Sequence, residues 1–260
     1  MPNPDGASTP QERLPDPKDV LVELSFVPGT GAAVGAPAPA AAGPQFRILR
    51  TLEVDEYEPP MAAADIAPLT APRAAPLDND FAGTARKAAK LSIVDAQMET
   101  FDDVKDLIDS FVDHETMTEK GIETTAESDR VAEEERNVRV KAFLYAASME
   151  GDKDFHLIIG RDPSRAARYM TAEVSGLPPQ SAGSFDQPDK ARTAYFDFFG
   201  DGLPGLTYDF YDPPIPIQIE GSLFWDASHA HGSRPGPSKL RPKMPVVWEI
   251  HPITKIVFQP

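Results

Sequence analysis

The chain has 260 residues, of which 41% are hydrophobic, and 25 Lys and Arg against 41 Asp and Glu give a net charge of −16. It contains no cysteine, which excludes disulfide bonds and thiolate metal sites. The 28 prolines and 17 glycines exceed average usage and indicate long loops around one or two domains. The acidity belongs to the first half, because residues 1–136 hold 12 basic and 27 acidic residues whereas residues 137–260 hold 13 and 14.

The N-terminus lacks the basic start and apolar segment of a secretory signal. No apolar run approaches the ~20 residues that span a bilayer. A cytoplasmic location without membrane contact is therefore expected.

The first part of the chain predicts little regular structure. Residues 1–18 are polar and proline-rich, which is typical of a disordered arm. Residues 19–58 contain two strand patterns joined by a Gly/Ala/Pro loop, and these predict an antiparallel hairpin. Because two strands alone are marginal in water, the hairpin is expected to dock elsewhere or to add to a partner's sheet. Residues 59–83 are interpreted as a disordered linker.

Residues 84–136 are interpreted as an acidic helical region. Thr100 is placed as the N-cap of a helix whose apolar residues recur at helical spacing from Phe101 to Val112. A second, almost entirely polar helix is predicted at residues 126–136. The acidic charges indicate a solvated face, and an acidic docking surface for a basic partner is the alternative.

Residues 137–260 predict five strands. Three patterns, at residues 137–150, 155–162 and 169–174, form a meander with a turn at residues 151–154. A long connection, residues 178–214, is expected to be a helix or loop insertion before a fourth strand at residues 215–225. Residues 246–250 and 255–258 make the fifth. The predicted class is mainly β with some α (α+β), in which a C-terminal five-stranded OB-like β-barrel follows the two-strand and helical acidic region.

Four segments support this interpretation: DKDFHLII (residues 152–159), MTAEV (170–174), IQIEGSLFWDASH (217–229) and WEIHPITKIVF (248–258). Their order and spacing resemble a small bacterial domain of OB-like fold and unassigned function. The resemblance covers the C-terminal half only. It implies the fold, but no activity, ligand or site residue.

Four of the five histidines lie in this half, and they are the candidate metal ligands: His156, His229, His231 and His251. Asp154, Asp226 and Glu249 add carboxylates near strand ends. Two imidazoles and a carboxylate from several strands would suit zinc, iron or manganese. A metal-dependent hydrolase or nuclease would use His156, Asp226 and Glu249 as its catalytic set.

A structural interpretation of the same residues is the alternative. In it, His156 is a core imidazole bonded to Asp154 or Glu249, and His251 fixes the chain as it leaves the fifth strand. Asp226 then caps the turn after the fourth strand.

A basic loop suggests a different ligand. Arg234, Lys239, Arg241 and Lys243 occur without an intervening acid. OB barrels bind single-stranded nucleic acid through basic grooves and aromatic platforms. The candidate stacking residues are Phe143, Tyr145, Phe155 and Phe224. Contact of this loop with an acidic surface is the alternative.

The sequence favours a non-enzymatic binding or assembly module without a cofactor, whose expected partner is another protein. The alternatives are the metal-dependent hydrolase or nuclease, which requires a divalent metal, and single-stranded nucleic-acid binding.

Overall fold

The structure is a computed structural model, and it describes residues 10–29, 32–33, 45–54, 79–230, 232 and 234–259. One sheet joins the nine strands of this part of the chain: β1 Val20–Phe26, β2 Ala32–Ala33, β3 Phe46–Thr51, β4 Met98–Phe101, β5 Asn137–Met149, β6 Phe155–Gly160, β7 Tyr169–Val174, β8 Asp209–Trp225 and β9 Trp248–Phe258. The helices are α1 Lys87–Lys90, α2 Val104–Asp109, α3 His114–Glu119 and α4 Asp186–Phe199. The mainly β, α+β class is therefore confirmed.

Five strands of the C-terminal half pair in a closed ring. β5 is antiparallel to β6, and β6 to β7. β7 runs parallel to β9, β9 is antiparallel to β8, and β8 returns antiparallel to β5. The predicted meander and the closure through the fifth strand are confirmed. The fourth strand begins earlier than predicted, at Asp209, and the fifth is one continuous strand rather than two pieces.

The ring encloses an apolar core. One continuous cluster of buried residues takes side chains from all five ring strands, among them Val140, Leu157, Ala172, Ile217 and Ile250. Alternation along each strand explains this, because every second side chain points to the same face. α4, in the connection predicted to be helix or loop, packs on this core through Tyr195 and Phe199.

The N-terminal hairpin joins the same sheet. β1 and β3 pair antiparallel as predicted, and β3 then pairs with β8, where Leu49 lies opposite Phe210. Arg50 and Asp209 form a fully buried ion pair at 2.7 Å across this junction. The prediction of a disordered arm is wrong for residues 10–18, which include short 3-10 turns and the buried residue Arg13. Residues 1–9 and 55–78 lie outside the described residues.

The acidic region differs from the prediction. Met98–Phe101 forms β4, parallel to β5, so Thr100 lies in a strand and is not a helix cap. Asp103 is the actual N-cap, because its side chain accepts a hydrogen bond from the backbone N–H of Lys105 at 2.8 Å. The predicted apolar stripe still buries Val104, Leu107 and Ile108. Pairing with β5 satisfies the β4 backbone, and this outweighs the local helical pattern.

The second predicted helix, at residues 126–136, is also wrong. Only Ala132–Glu134 is helical there, as a 3-10 turn. Glu134, which the acidic pattern places on a solvated face, is fully buried and forms a bidentate ion pair with Arg86 at 2.6 and 2.7 Å. It also accepts the backbone N–H of Trp225. Tertiary partners distant in sequence therefore determine the conformation of residues 126–136.

No helix in the described ranges is long and apolar enough to cross a bilayer. The cellular compartment stays a prediction.

Candidate metal centre

Ionisable side chains occupy the outer face of three ring strands. In β6, Leu157 belongs to the interior cluster, so its neighbour His156 points to the opposite face. Glu173 of β7 lies opposite His156 in the antiparallel register. Glu249 of β9 lies beside Thr171 of β7, and His251 follows two residues later on the same face.

The turn between β5 and β6 and the helix α1 complete this group. Glu150, Asp152 and Asp154 come from the turn, and Asp154 Oδ1 accepts the backbone N–H of Gly176 at 2.5 Å. A segment before α1 lies over the group, because Ala82 donates its backbone N–H to the carbonyl of Asp152. We call the whole group the acid–imidazole cluster: Lys90, Glu150, Asp152, Asp154, His156, Glu173, Glu249 and His251.

Two sets of potential metal-ligand atoms occur within this cluster, and they share Glu173. One contains Glu150, His156 and Glu173, and the other contains Asp154, Glu173 and His251. In each set the ligand atoms all lie within 4.8 Å of one another. The first set has partners of its own, because His156 Nδ1 lies 2.5 Å from Glu150 Oε1 and Nε2 lies 3.3 Å from Thr171 Oγ1.

In the second set, Asp154 Oδ1 accepts from Gly176, but the atoms that face one another have no hydrogen bond within the described residues. His251 Nδ1 is 2.9 Å from Glu173 Oε2, and Nε2 is 3.5 Å from Asp154 Oδ2, but neither contact has the geometry of a hydrogen bond. Glu249 Oε2 lies 3.9 Å from His251 Nδ1. Both ring nitrogens of His251 and one oxygen each of Asp154, Glu173 and Glu249 are buried without a hydrogen-bonding partner among the described residues. Buried polar atoms are normally paired, so these atoms indicate a missing partner at this point.

Carboxylates outnumber the basic groups of the cluster, although the guanidinium groups of Arg130 and Arg192 also act on it from outside. It contains five carboxylates but one ammonium group, Lys90, whose Nζ lies 3.6 Å from Asp152 Oδ2 and 4.0 Å from Asp154 Oδ2. Burial raises the pKa of Asp154 and Glu249 well above the usual range, and it also raises the pKa of Glu173. Burial lowers the pKa of His251 to about 3, against the attraction of Asp154, so this imidazole is neutral at pH 7. The carboxylates therefore need either protons or an added cation.

Not all predicted metal ligands converge. His156, Glu249 and His251 lie in the cluster, but His229 lies elsewhere, with Nε2 3.3 Å from Asp226 Oδ2. Asp226 caps the turn after β8 by accepting the backbone N–H of Ser228, which confirms its structural interpretation. The grouping of Asp226 with His156 and Glu249 as one catalytic set is therefore not observed. His231 lies outside the described residues.

Two structural details also differ from the prediction. His156 contacts Glu150 and Thr171, which the sequence did not predict as its partners, because its neighbours are set by strand pairing and by the β5–β6 turn. His251 lies within β9 rather than at its end, because the strand continues to Phe258.

The basic side chains of this loop are less available for binding nucleic acid than the sequence indicates. Lys239 lies 3.2 Å from Asp16, which agrees with the alternative of an acidic intramolecular contact, and Arg241 donates to the carbonyl of Gly236. Arg234 is half-buried, while Lys243 is exposed.

Most of the predicted stacking aromatics are inaccessible. Tyr145, Phe155 and Phe224 are buried in the fold, so they cannot stack on a base. Phe143 is half-buried and packs on the cluster of apolar side chains around Tyr145. These rings are buried by packing between the sheet and the segments that cover it, so they are not available to bind a nucleic acid.

The sequence interpretation missed Glu173, Glu150 and Lys90. Glu173 carried the clearest signal, because it is a carboxylate inside the otherwise apolar strand MTAEV. Glu150 shares alternate spacing with Asp152 and Asp154. Lys90 carried no signal, since only the fold brings α1 to this face.

Two carboxylates and a neutral imidazole, with Glu249 beside them, are a donor set that suits zinc, manganese or iron(II).

Comparisons with protein-family models, with curated proteins and with solved structures find no match to this chain.

Proposed function

We propose that this protein is a non-enzymatic binding module with an OB-like barrel, and that it holds a divalent cation in the acid–imidazole cluster. Two features support the barrel: the closed ring of five strands, and the position of α4 between the third and fourth of them. An OB fold is a five-stranded, partly open Greek-key barrel.

One observation carries the cation site. His251 is fully buried, and within the part of the chain that the structure describes neither of its ring nitrogens has a hydrogen-bonding partner, although carboxylate oxygens of Asp154 and Glu173 lie beside them. Carboxylate oxygens and the unprotonated ring nitrogen of a neutral imidazole are all acceptors, and here they are buried together without a hydrogen bond from the described residues to compensate them. A cation between them would satisfy these atoms and would balance the buried negative charge.

Burial favours binding over catalysis. The side chains of Asp154 and His251 are 0% exposed and that of Glu173 is 3% exposed. Catalytic metal sites keep a coordination position open to water or substrate, whereas structural sites are closed. A hydrolase or nuclease would have to open this face, so we place it second. A protein partner for the module stays a prediction.

Metal content and stability test this function. The full-length protein would be stripped with EDTA, dialysed, and titrated with Mn²⁺ and with Zn²⁺ while the bound metal and the melting temperature are measured. We expect one bound cation per chain and a higher melting temperature, because a ligand that binds only the folded state stabilises it.

Two variants locate the site. Glu173→Gln keeps the shape of the side chain but weakens a ligand shared by both sets, so it should lose the thermal shift. His229→Gln is the matched control, since His229 lies outside the cluster, and it should keep the shift. Absence of bound metal in the wild type, or an equal loss in both variants, would contradict the proposal.

A further inference from the structure

Lys90 is the one lysine or arginine of the cluster, and its position relative to the proposed cation site is specific. Its Nζ approaches Asp154 Oδ2 at 4.0 Å, and the same oxygen lies 3.5 Å from His251 Nε2. Asp154 Oδ2 is therefore common to the lysine and to the second set of ligand atoms. An ammonium group and a metal ion at this oxygen would be close neighbours of like charge.

Lys90 also lies on the most accessible side of the cluster. Its side chain is 12% exposed, and those of Glu150 and Asp152 are 17% and 18% exposed. Those of Glu249 and His251 are at most 1% exposed. Lys90, Glu150 and Asp152 are therefore the members of the cluster that solvent reaches most readily.

The contacts of the ammonium group itself are loose. Its distances to Asp152 and Asp154, 3.6 and 4.0 Å, are longer than hydrogen bonds. The group also lies 5.9 Å from the ring centre of Phe81 and 5.8 Å from that of Phe224, at the outer range of a cation–π contact. No single hydrogen bond therefore ties the ammonium group to Asp152 or Asp154, and the charge attraction that holds it can be replaced by another cation at the same carboxylates.

The backbone that carries Lys90 is, by contrast, firmly fixed. Arg86, immediately before α1, is buried in its ion pair with Glu134 and donates to the carbonyl of Trp225 at 3.1 Å. Ala88 donates its backbone N–H to Ala126. The backbone of α1 therefore holds Lys90 beside the cluster, and a change in the position of the ammonium group must come from its side chain.

From these contacts we infer, on the basis of the proposed cation-binding function, that Lys90 is a built-in competitor of the divalent cation. In the metal-free protein the ammonium group partly balances the buried carboxylates. When a cation binds Asp154, Glu173 and His251, the lysine side chain turns away from Asp154 toward solvent. Lys90 thus lowers the affinity of the site and makes the cation exchangeable.

Removal of the charge at Lys90 tests this inference in the full-length protein. Mn²⁺ and Zn²⁺ affinities would be measured by calorimetry for the wild type, Lys90→Met and Lys87→Met, all stripped with EDTA. Lys87 is the matched control, because it lies on the same helix and its Nζ is 5.8 Å from the Phe81 ring. We expect Lys90→Met to bind at least tenfold more tightly, and Lys87→Met to stay within twofold of the wild type.

Each outcome is decisive. If the wild type binds metal and Lys90→Met binds with equal or weaker affinity, the competitor role is wrong while the cation site stands. If none of the three proteins binds metal, the cation site itself is wrong. Lys90→Arg serves if the Met variant does not fold: it retains the charge and should show wild-type or weaker affinity, and tighter binding would overturn the inference.

Discussion

The two faces of the strands β6, β7 and β9 differ sharply in chemistry although their residues alternate along the same strands. The inner face carries Leu157, Ala172 and Ile250, which pack into the apolar core of the ring. The outer face carries His156, Glu173, Glu249 and His251, which are just as buried. Apolar side chains need only contact one another, whereas buried charges need partners. The inner face can therefore be stable by itself, and the outer face depends on what covers or fills it.

The outer face should be destabilised most by a change that frees the segment around α1, which lies over the acid–imidazole cluster. Glu134→Ala should lower the free energy of unfolding by about 3–5 kcal/mol, because the buried guanidinium of Arg86 loses its carboxylate. Urea denaturation measures this change. The exposed neighbour Glu135→Ala is the control and should have little effect. A similar loss of unfolding free energy in both variants would mean that the Arg86–Glu134 ion pair does not hold the segment around α1 in place.

The inner face should respond to loss of volume and not to metal. Leu157→Ala removes a fully buried side chain from the core and should cost about 2–5 kcal/mol. Because Leu157 points away from the acid–imidazole cluster, the same loss is expected in EDTA and in excess Mn²⁺. A loss that disappears when metal is added would show that the two faces are coupled.

The two histidines of the outer face should separate stability from binding. His156→Gln disturbs the contacts with Glu150 and Thr171, so we expect a loss of about 1–3 kcal/mol in EDTA with cation binding retained. His251→Gln removes a ligand without breaking a hydrogen bond and should weaken cation affinity more than tenfold. Denaturation in EDTA and metal titration of both variants check this difference. If instead His156→Gln weakened cation affinity and His251→Gln did not, the cation would be bound by Glu150, His156 and Glu173.

The smallest effect is expected on the solvent-facing part of the ring. Arg139 of β5 pairs with Glu220 of β8 at 3.0 Å, and its side chain is 39% exposed. Arg139→Gln should change the free energy of unfolding by less than about 1 kcal/mol, because water screens such pairs. Urea denaturation in low and high salt checks this. A larger, salt-independent loss would mean that this pair acts as a buried one.

The sequence was sufficient for elements with a strong local pattern. Alternation located the hairpin strands, the three-stranded meander and much of the fourth strand, and the helix in the long connection was one of two stated options. The same patterns failed at Met98–Phe101 and at residues 126–136. There, pairing with β5 and the capture of Glu134 by Arg86 outweigh helical spacing, and both partners are distant in sequence.

For the candidate site, the sequence determined which residues carry the chemistry in β6 and β9, and alternation determined that each lies on the opposite face from its apolar neighbours. Only the tertiary structure decided that His251 meets Asp154 and Glu173 while His229 does not, and that Lys90 lies beside them. The reason is physical: side-chain direction repeats every two residues and is local, whereas the choice of neighbouring strand is set by backbone pairing over long range. A charge's partner is therefore fixed by the fold and not by its position in the chain.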